Sequence, residues 1–257
     1  MIRGILIDLS GVIYIGDGPV AGAREALSRI RKSGLPVRFL TNTTRTPKQS
    51  LLERLSKMGF EIKAEELFTP AQAARELLLK RRLTPHLLIH PALEEDFQGL
   101  PASSGGACAV VVGDAADGFT YQALNAAFRD IADGADFLAL AKNRTFLDAD
   151  GHLSLDTGAF VAALEYASGR TATVLGKPSA DFYAEAAWDM DVQMSGLVMI
   201  GDDVESDVSG ALKAGVGHAL LVRTGKYTPG AETKADPQPT AVVDDIDAAA
   251  DWILARI

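Results

Sequence analysis

Apolar residues follow two rhythms along the chain. Short aliphatic runs such as "RGILIDLS" (3–10) and "GLVMIGDD" (196–203) are continuous, which fits strands buried on both faces. Between such runs the apolar positions recur at three and four residues. "AGAREALSRIRKSG" puts Ala23, Ala26, Leu27 and Ile30 on one helical face and stops at Gly34, a residue suited to a left-handed terminator. "LPVRFLTN" reads as a second strand. In "TPKQSLLERLSKMG" Thr46 is the expected N-cap, Pro47 the first helical residue and Gly59 the residue past the end. Strand, helix, strand, helix with short links predicts a parallel sheet with right-handed crossovers.

The rhythm resumes in the last third. "SADFYAEAAWDM" is a helix expected to be capped by Ser179, "SDVSGALKAG" a helix closing at Gly215, "HALLVRTG" a strand, and "DIDAAADWILARI" an amphipathic helix. The middle block carries its own strands ("HLLIHP", "ACAVVVGD", "DFLALAKN") and helices ("TYQALNAAFRDIA", "GAFVAALEYASG"). "KYTPGAETKADPQPT" reads as a surface loop. No internal repeat is seen. The expectation is an α/β protein: a Rossmann-like, doubly wound parallel sheet core from residues 1–79 and 176–257, with a smaller α/β domain inserted at 80–175.

Composition narrows the function. With 47% hydrophobic and 23% charged residues the chain is of the soluble globular type. A net charge of −9 argues against a nucleic-acid partner, since phosphate backbones need clustered Lys and Arg. No run of about 18 apolar residues occurs, so no membrane span is expected. The chain opens directly into a strand without a signal-like apolar region, and a cytoplasmic location follows as the expectation. The lone Cys108 excludes an intramolecular disulfide or a cysteine zinc cluster and reads as a small core hydrophobe. His86, His90, His152 and His218 show no metal-ligand spacing and read as structural or exposed.

Three strands end in polar groups at their carboxyl edges, where open parallel sheets bind ligands. The first ends in Asp8 and Ser10, the second in Thr41 and Asn42, and the third in Asp202 and Asp203 with Asp207 beyond. Lys177 stands in "GKPS", just ahead of a helix. Carboxylates gathered at one edge repel unless a cation sits among them, and without His or Cys the fitting cation is a hard one, Mg²⁺. Lysine, threonine and asparagine donors suit the oxygens of a phosphoryl group. A carboxylate beside Mg²⁺ is a competent nucleophile toward phosphorus. The set describes phosphoryl transfer through an acyl-phosphate.

In order, "DLSGV", "LTN", "GKPS" and "GDDVESD" resemble the four motifs of the haloacid dehalogenase superfamily of phosphatases, and the likeness spans the chain. The middle block sits where the subfamily with a C2-type cap inserts that domain. "DLSGVIY", "LLIHP", "GDAADGFTYQALNAAF", "ALEYASG" and "VRTGKY" are most similar to the branch containing phospholysine phosphohistidine inorganic pyrophosphate phosphatase. The resemblance implies Asp8 as nucleophile, and Mg²⁺ held by Asp8, Asp202 and the Ser10 main-chain carbonyl. It implies Thr41, Asn42 and Lys177 as phosphoryl ligands, with Asp203 and Asp207 orienting metal waters and Lys177. It also implies a homodimer and a small phosphorylated substrate or phosphorylated side chain as partner. Asn143, Arg144 and Asp156 are candidate specificity contacts in the cap; related capped enzymes often carry Asn-Pro-Asp where this chain has Asn143-Arg144-Thr145.

One position departs from the pattern. Most phosphatases of this superfamily have an aspartate two residues after the nucleophile as general acid and base, whereas this chain has Ser10. A serine hydroxyl is too weak an acid to replace it, so activated phosphoryl donors (pyrophosphate, phosphoramidates, aryl phosphates) are expected over alkyl monoesters. The rival reading is a weakly active or non-catalytic phosphate-binding member of the same fold.

Overall fold

The structure is a computed structural model that describes residues 1–100, 108–147 and 152–257. Residue 107, expected to open a strand, and residues 148–151, between the cap candidates Arg144 and Asp156, lie outside the described residues.

The chain divides into two compact units. The first comprises Met1–Thr41, Leu52–Phe68 and Lys177–Ile257, and the second comprises Asn42–Leu51 and Thr69–Gly176. In the first, six strands form a parallel sheet in the order Ala241–Val243, His218–Val222, Leu197–Gly201, Gly4–Asp8, Val37–Leu40, Leu67–Phe68. The two middle strands, Leu197–Gly201 and Gly4–Asp8, are buried along their whole length, as their unbroken aliphatic sequence requires. Helix Ala23–Lys32 turns Ala23, Ala26, Leu27 and Ile30 inward, the face anticipated from their spacing.

The second unit contains a four-stranded parallel sheet ordered Thr173–Val174, Asp136–Ala139, Cys108–Val112, Thr84–Leu88. Helices Tyr121–Ala132 and Thr157–Ser168 contribute Ala127, Ile131, Val161 and Leu164 to one core, against which Cys108 packs half-buried. Helix Pro70–Arg81 contributes Ala71, Ala74 and Leu78 to a second core of this unit. Its start is capped by the Thr69 hydroxyl, which accepts the Gln72 N–H at 3.2 Å.

Several local expectations need correction. Ser179 stands at the N-cap of the Ala180–Asp189 helix, yet its side chain accepts no helix N–H; Phe182 N–H goes instead to the Ser179 main-chain oxygen, at 3.2 Å. Helix Lys48–Lys57 starts one residue after Pro47 and draws a cap from far along the chain, because both Asp96 carboxylate oxygens accept the Lys48 N–H at 3.2 Å. The "SDVSGALKAG" helix begins as a π-turn over Val204–Ser209 and becomes α-helical only at Gly210–Ala214. Residues 226–240 do form the expected loop, interrupted by one short 3₁₀ turn, Ala231–Lys234, and lead into the edge strand Ala241–Val243. Among the described residues no helix is long and apolar enough to cross a membrane.

Candidate active site

Asp8 ends the Gly4–Asp8 strand, Thr41 follows Val37–Leu40 and Asp202 follows Leu197–Gly201. These strands are neighbours in register, with Ile7 beside Ile200 and Asp8 beside Leu40, so parallel pairing brings the three ends to one sheet edge. All three residues are buried.

Lys177 lies among the acids, only 2% exposed. Its Nζ donates to Asp8 Oδ1 and, at 2.7 Å, to Asp207 Oδ1. Carboxylate oxygens of Asp8, Asp202 and Asp207 all lie within 4.8 Å of one another. Three buried carboxylates against one buried ammonium leave a local excess of negative charge, which a hard divalent cation would balance. The donor set is all oxygen and fits Mg²⁺.

The titration behaviour follows from this crowding. Burial, reinforced by the Asp207 charge and partly offset by Lys177, pushes the Asp8 carboxyl up to about 7. Burial and the charges of Asp8 and Asp207 hold Asp202 well above the usual carboxylate range. For Lys177 burial acts downward, but Asp207 and Asp8 outweigh it and raise the ammonium above its ordinary range. Lys177 is therefore a fixed cation at neutral pH.

Asp203 and Asp207 stand in one short motif, and the π-turn that follows Asp203 gives them different tasks. Asp203 Oδ1 accepts the Glu205 and Ser206 N–H groups at 2.9 and 3.0 Å, while its Oδ2 pairs with Lys226 Nζ at 3.0 Å. Burial would raise the Asp203 carboxyl, but the Lys226 charge and the Ser206 N–H hold it below its ordinary range. Asp207 turns the other way, toward Lys177, and accepts the Asp203 N–H at 3.1 Å through Oδ2. The buried Tyr183 hydroxyl donates to the Ser206 carbonyl and ties the helix after Lys177 to this turn.

The remaining candidates are placed as follows. Ser10 is exposed and forms an isolated bridge with Tyr14. Asn42 belongs to the second unit, where its Nδ2 donates to Asn143 Oδ1 at 3.0 Å. Arg144 is exposed and forms no ion pair among the described residues. Asp156 caps the Thr157–Ser168 helix, its carboxylate accepting the Thr157 N–H at 2.7 Å. Sequence reasoning assigns no site role to Thr224, Gly225 or Lys226, although Lys226 N–H donates to Asp202 Oδ2 at 2.7 Å. The signal available is a Thr-Gly pair shortly after a buried strand.

Lys177→Met is expected to destabilise the protein by about 3–5 kcal/mol, because it leaves Asp8 and Asp207 buried without their cation. The loss should be greater at pH 8 than at pH 6. A carboxyl whose folded pKa lies above its ordinary 3.8 favours the fold while protonated and loses that contribution as pH rises toward about 7. Without the ammonium the same carboxyl titrates higher still, so the variant keeps losing stability where the parent has stopped. Thermal unfolding of both proteins in EDTA at the two pH values measures this.

Known proteins resemble this chain along its whole length. The family model described as haloacid dehalogenase-like hydrolase matches residues 5–113, and a second model for HAD-like hydrolases matches 174–249. The chain is 44% identical to haloacid dehalogenase-like hydrolase domain-containing protein 2 of Bos taurus, over 100% of this chain and 97% of the relative. It is 41% identical to phospholysine phosphohistidine inorganic pyrophosphate phosphatase of Danio rerio, over 99% and 95%. The crystal structure of 4-nitrophenylphosphatase from Thermotoga maritima superposes with a TM-score of 0.88 at 25% identity, covering 97% of each chain.

Proposed function

The chain belongs to the haloacid dehalogenase-like hydrolase family and is a phosphatase, and from that premise we propose that it works through an aspartyl-phosphate on Asp8 and favours activated phosphoryl donors. The observation that carries this reading is the buried cluster of Asp8, Lys177, Asp202 and Asp207.

Asp8, Asp202 and the Ser10 main-chain carbonyl would hold Mg²⁺, with Asp207 alongside. When bound, the ion neutralises the carboxylates and draws charge from the phosphoryl oxygens. The Asp8 carboxylate oxygen attacks phosphorus, the bond to the leaving group breaks, and the electron pair departs with that group. Lys177 balances the charge on the transferring phosphoryl oxygens, and the Thr41 hydroxyl orients them. Water then attacks phosphorus, the P–O bond to Asp8 breaks with its electron pair returning to the carboxylate, and the water proton leaves with the released phosphate.

Ser10 decides the substrate class. General acid help is worth about 10²- to 10⁴-fold, and it matters most where an alkoxide must leave. Pyrophosphate, a phosphoramidate or an aryl phosphate supplies a leaving group that needs little protonation. The names of the Danio rerio and Thermotoga maritima proteins, which refer to such donors, support the same choice.

Initial rates on pyrophosphate, p-nitrophenyl phosphate and glycerol phosphate test the proposal, each with Mg²⁺ and with EDTA. The first two should exceed glycerol phosphate by about 10²-fold or more in kcat/KM, and EDTA should abolish all three. Equal rates on glycerol phosphate, or turnover that survives EDTA, would overturn it.

A further inference from the structure

Residues 224–226, "TGK", follow the His218–Val222 strand and take no part in the chemistry above, yet they touch both sides of the acid cluster. The Thr224 hydroxyl donates to the Gly11 main-chain carbonyl. Lys226 holds the two adjacent acids separately: its N–H donates to Asp202 Oδ2 at 2.7 Å and its Nζ to Asp203 Oδ2 at 3.0 Å. Between them Gly225 has φ +62°, and it faces Gly11 at φ +86°. A methyl group on either glycine would collide with the Asp202 carboxylate, so the two backbones and that side chain close on one another with no space for a Cβ.

Gly11 has no side chain to brace it, and its two peptide planes are fixed by hydrogen bonds. Its N–H donates to the Tyr14 carbonyl at 2.7 Å, which pins the plane carrying the Ser10 carbonyl. Its own carbonyl is pinned by Thr224. Building on the phosphatase reading, we propose that Thr224–Lys226 is a clamp that sets the spacing between the nucleophile loop and Asp202. Thr224 is its positioning residue, and through the Gly11 backbone it prepares the Ser10 carbonyl and Asp202 to receive a divalent cation. Direct hydrogen-bond partners of metal ligands typically change metal affinity by about 10- to 100-fold when lost, and Thr224, which acts one step further out through the Gly11 backbone, is expected at the lower end of that range.

Calorimetric titration of the full chain with Mg²⁺ tests the clamp. Thr224→Val keeps the side-chain shape and removes the donor; it should weaken Mg²⁺ binding by about tenfold, while Thr224→Ser keeps the hydroxyl and should bind like the parent. Thr224→Ala provides the same reading if valine disturbs folding. Parent-like Mg²⁺ affinity in the valine and alanine variants, or a serine variant as weak as valine, would overturn the clamp and leave the phosphatase reading intact. A parent protein that takes up no Mg²⁺ would overturn both.

Discussion

Asp8→Asn is expected to lower turnover of pyrophosphate and p-nitrophenyl phosphate by about 10⁴-fold or more, since an amide cannot form the acyl-phosphate and nucleophile losses of this kind are the largest seen in enzymes. The same change should cost little stability. Asparagine is nearly isosteric, Lys177 retains Asp207 as a partner, and one buried carboxylate disappears from a crowded cluster. Activity and thermal unfolding measured on one preparation separate the two effects. Loss of both together would indicate that position 8 matters to the fold and not to the reaction.

Ser10→Asp should act in the opposite direction. A carboxyl there restores the general acid and base, and kcat/KM on glycerol phosphate should rise by about 10²- to 10⁴-fold. Pyrophosphate, whose leaving group needs little protonation, should change far less. The informative quantity is the ratio of the two substrates, because a general change in Mg²⁺ binding would move both alike. An unchanged ratio would remove Ser10 as the determinant of substrate class.

The central strands and their carboxyl-edge residues are legible in the sequence because strands buried on both faces leave unbroken aliphatic runs, and polar residues directly after such runs stand out. Asp8, Thr41 and Asp202 are visible in this way. Other features leave weaker signals. Helix Pro70–Arg81 has a clear start in Thr69-Pro70, but its later apolar residues, Leu77 to Leu79, are consecutive and blur the helical period. The Ala241–Val243 strand has three half-buried residues behind a Pro-rich stretch. The different tasks of Asp203 and Asp207 depend on Asp203 standing as the extended N-cap, whose side chain takes up the Glu205 and Ser206 N–H groups, while Asp207 lies within the turn and faces Lys177. The grip of Lys226 on Asp202 comes from a main-chain N–H, which carries no side-chain signature.

Every step proposed above depends on transfer of the phosphoryl group to the side chain of Asp8. Acid quenching during turnover of ³²P-labelled pyrophosphate, followed by peptide mapping, tests it most directly. Hydroxylamine-sensitive label is expected on the peptide containing Asp8 and none in the Asp8→Asn protein. Steady release of phosphate with no label on that peptide would contradict transfer to Asp8.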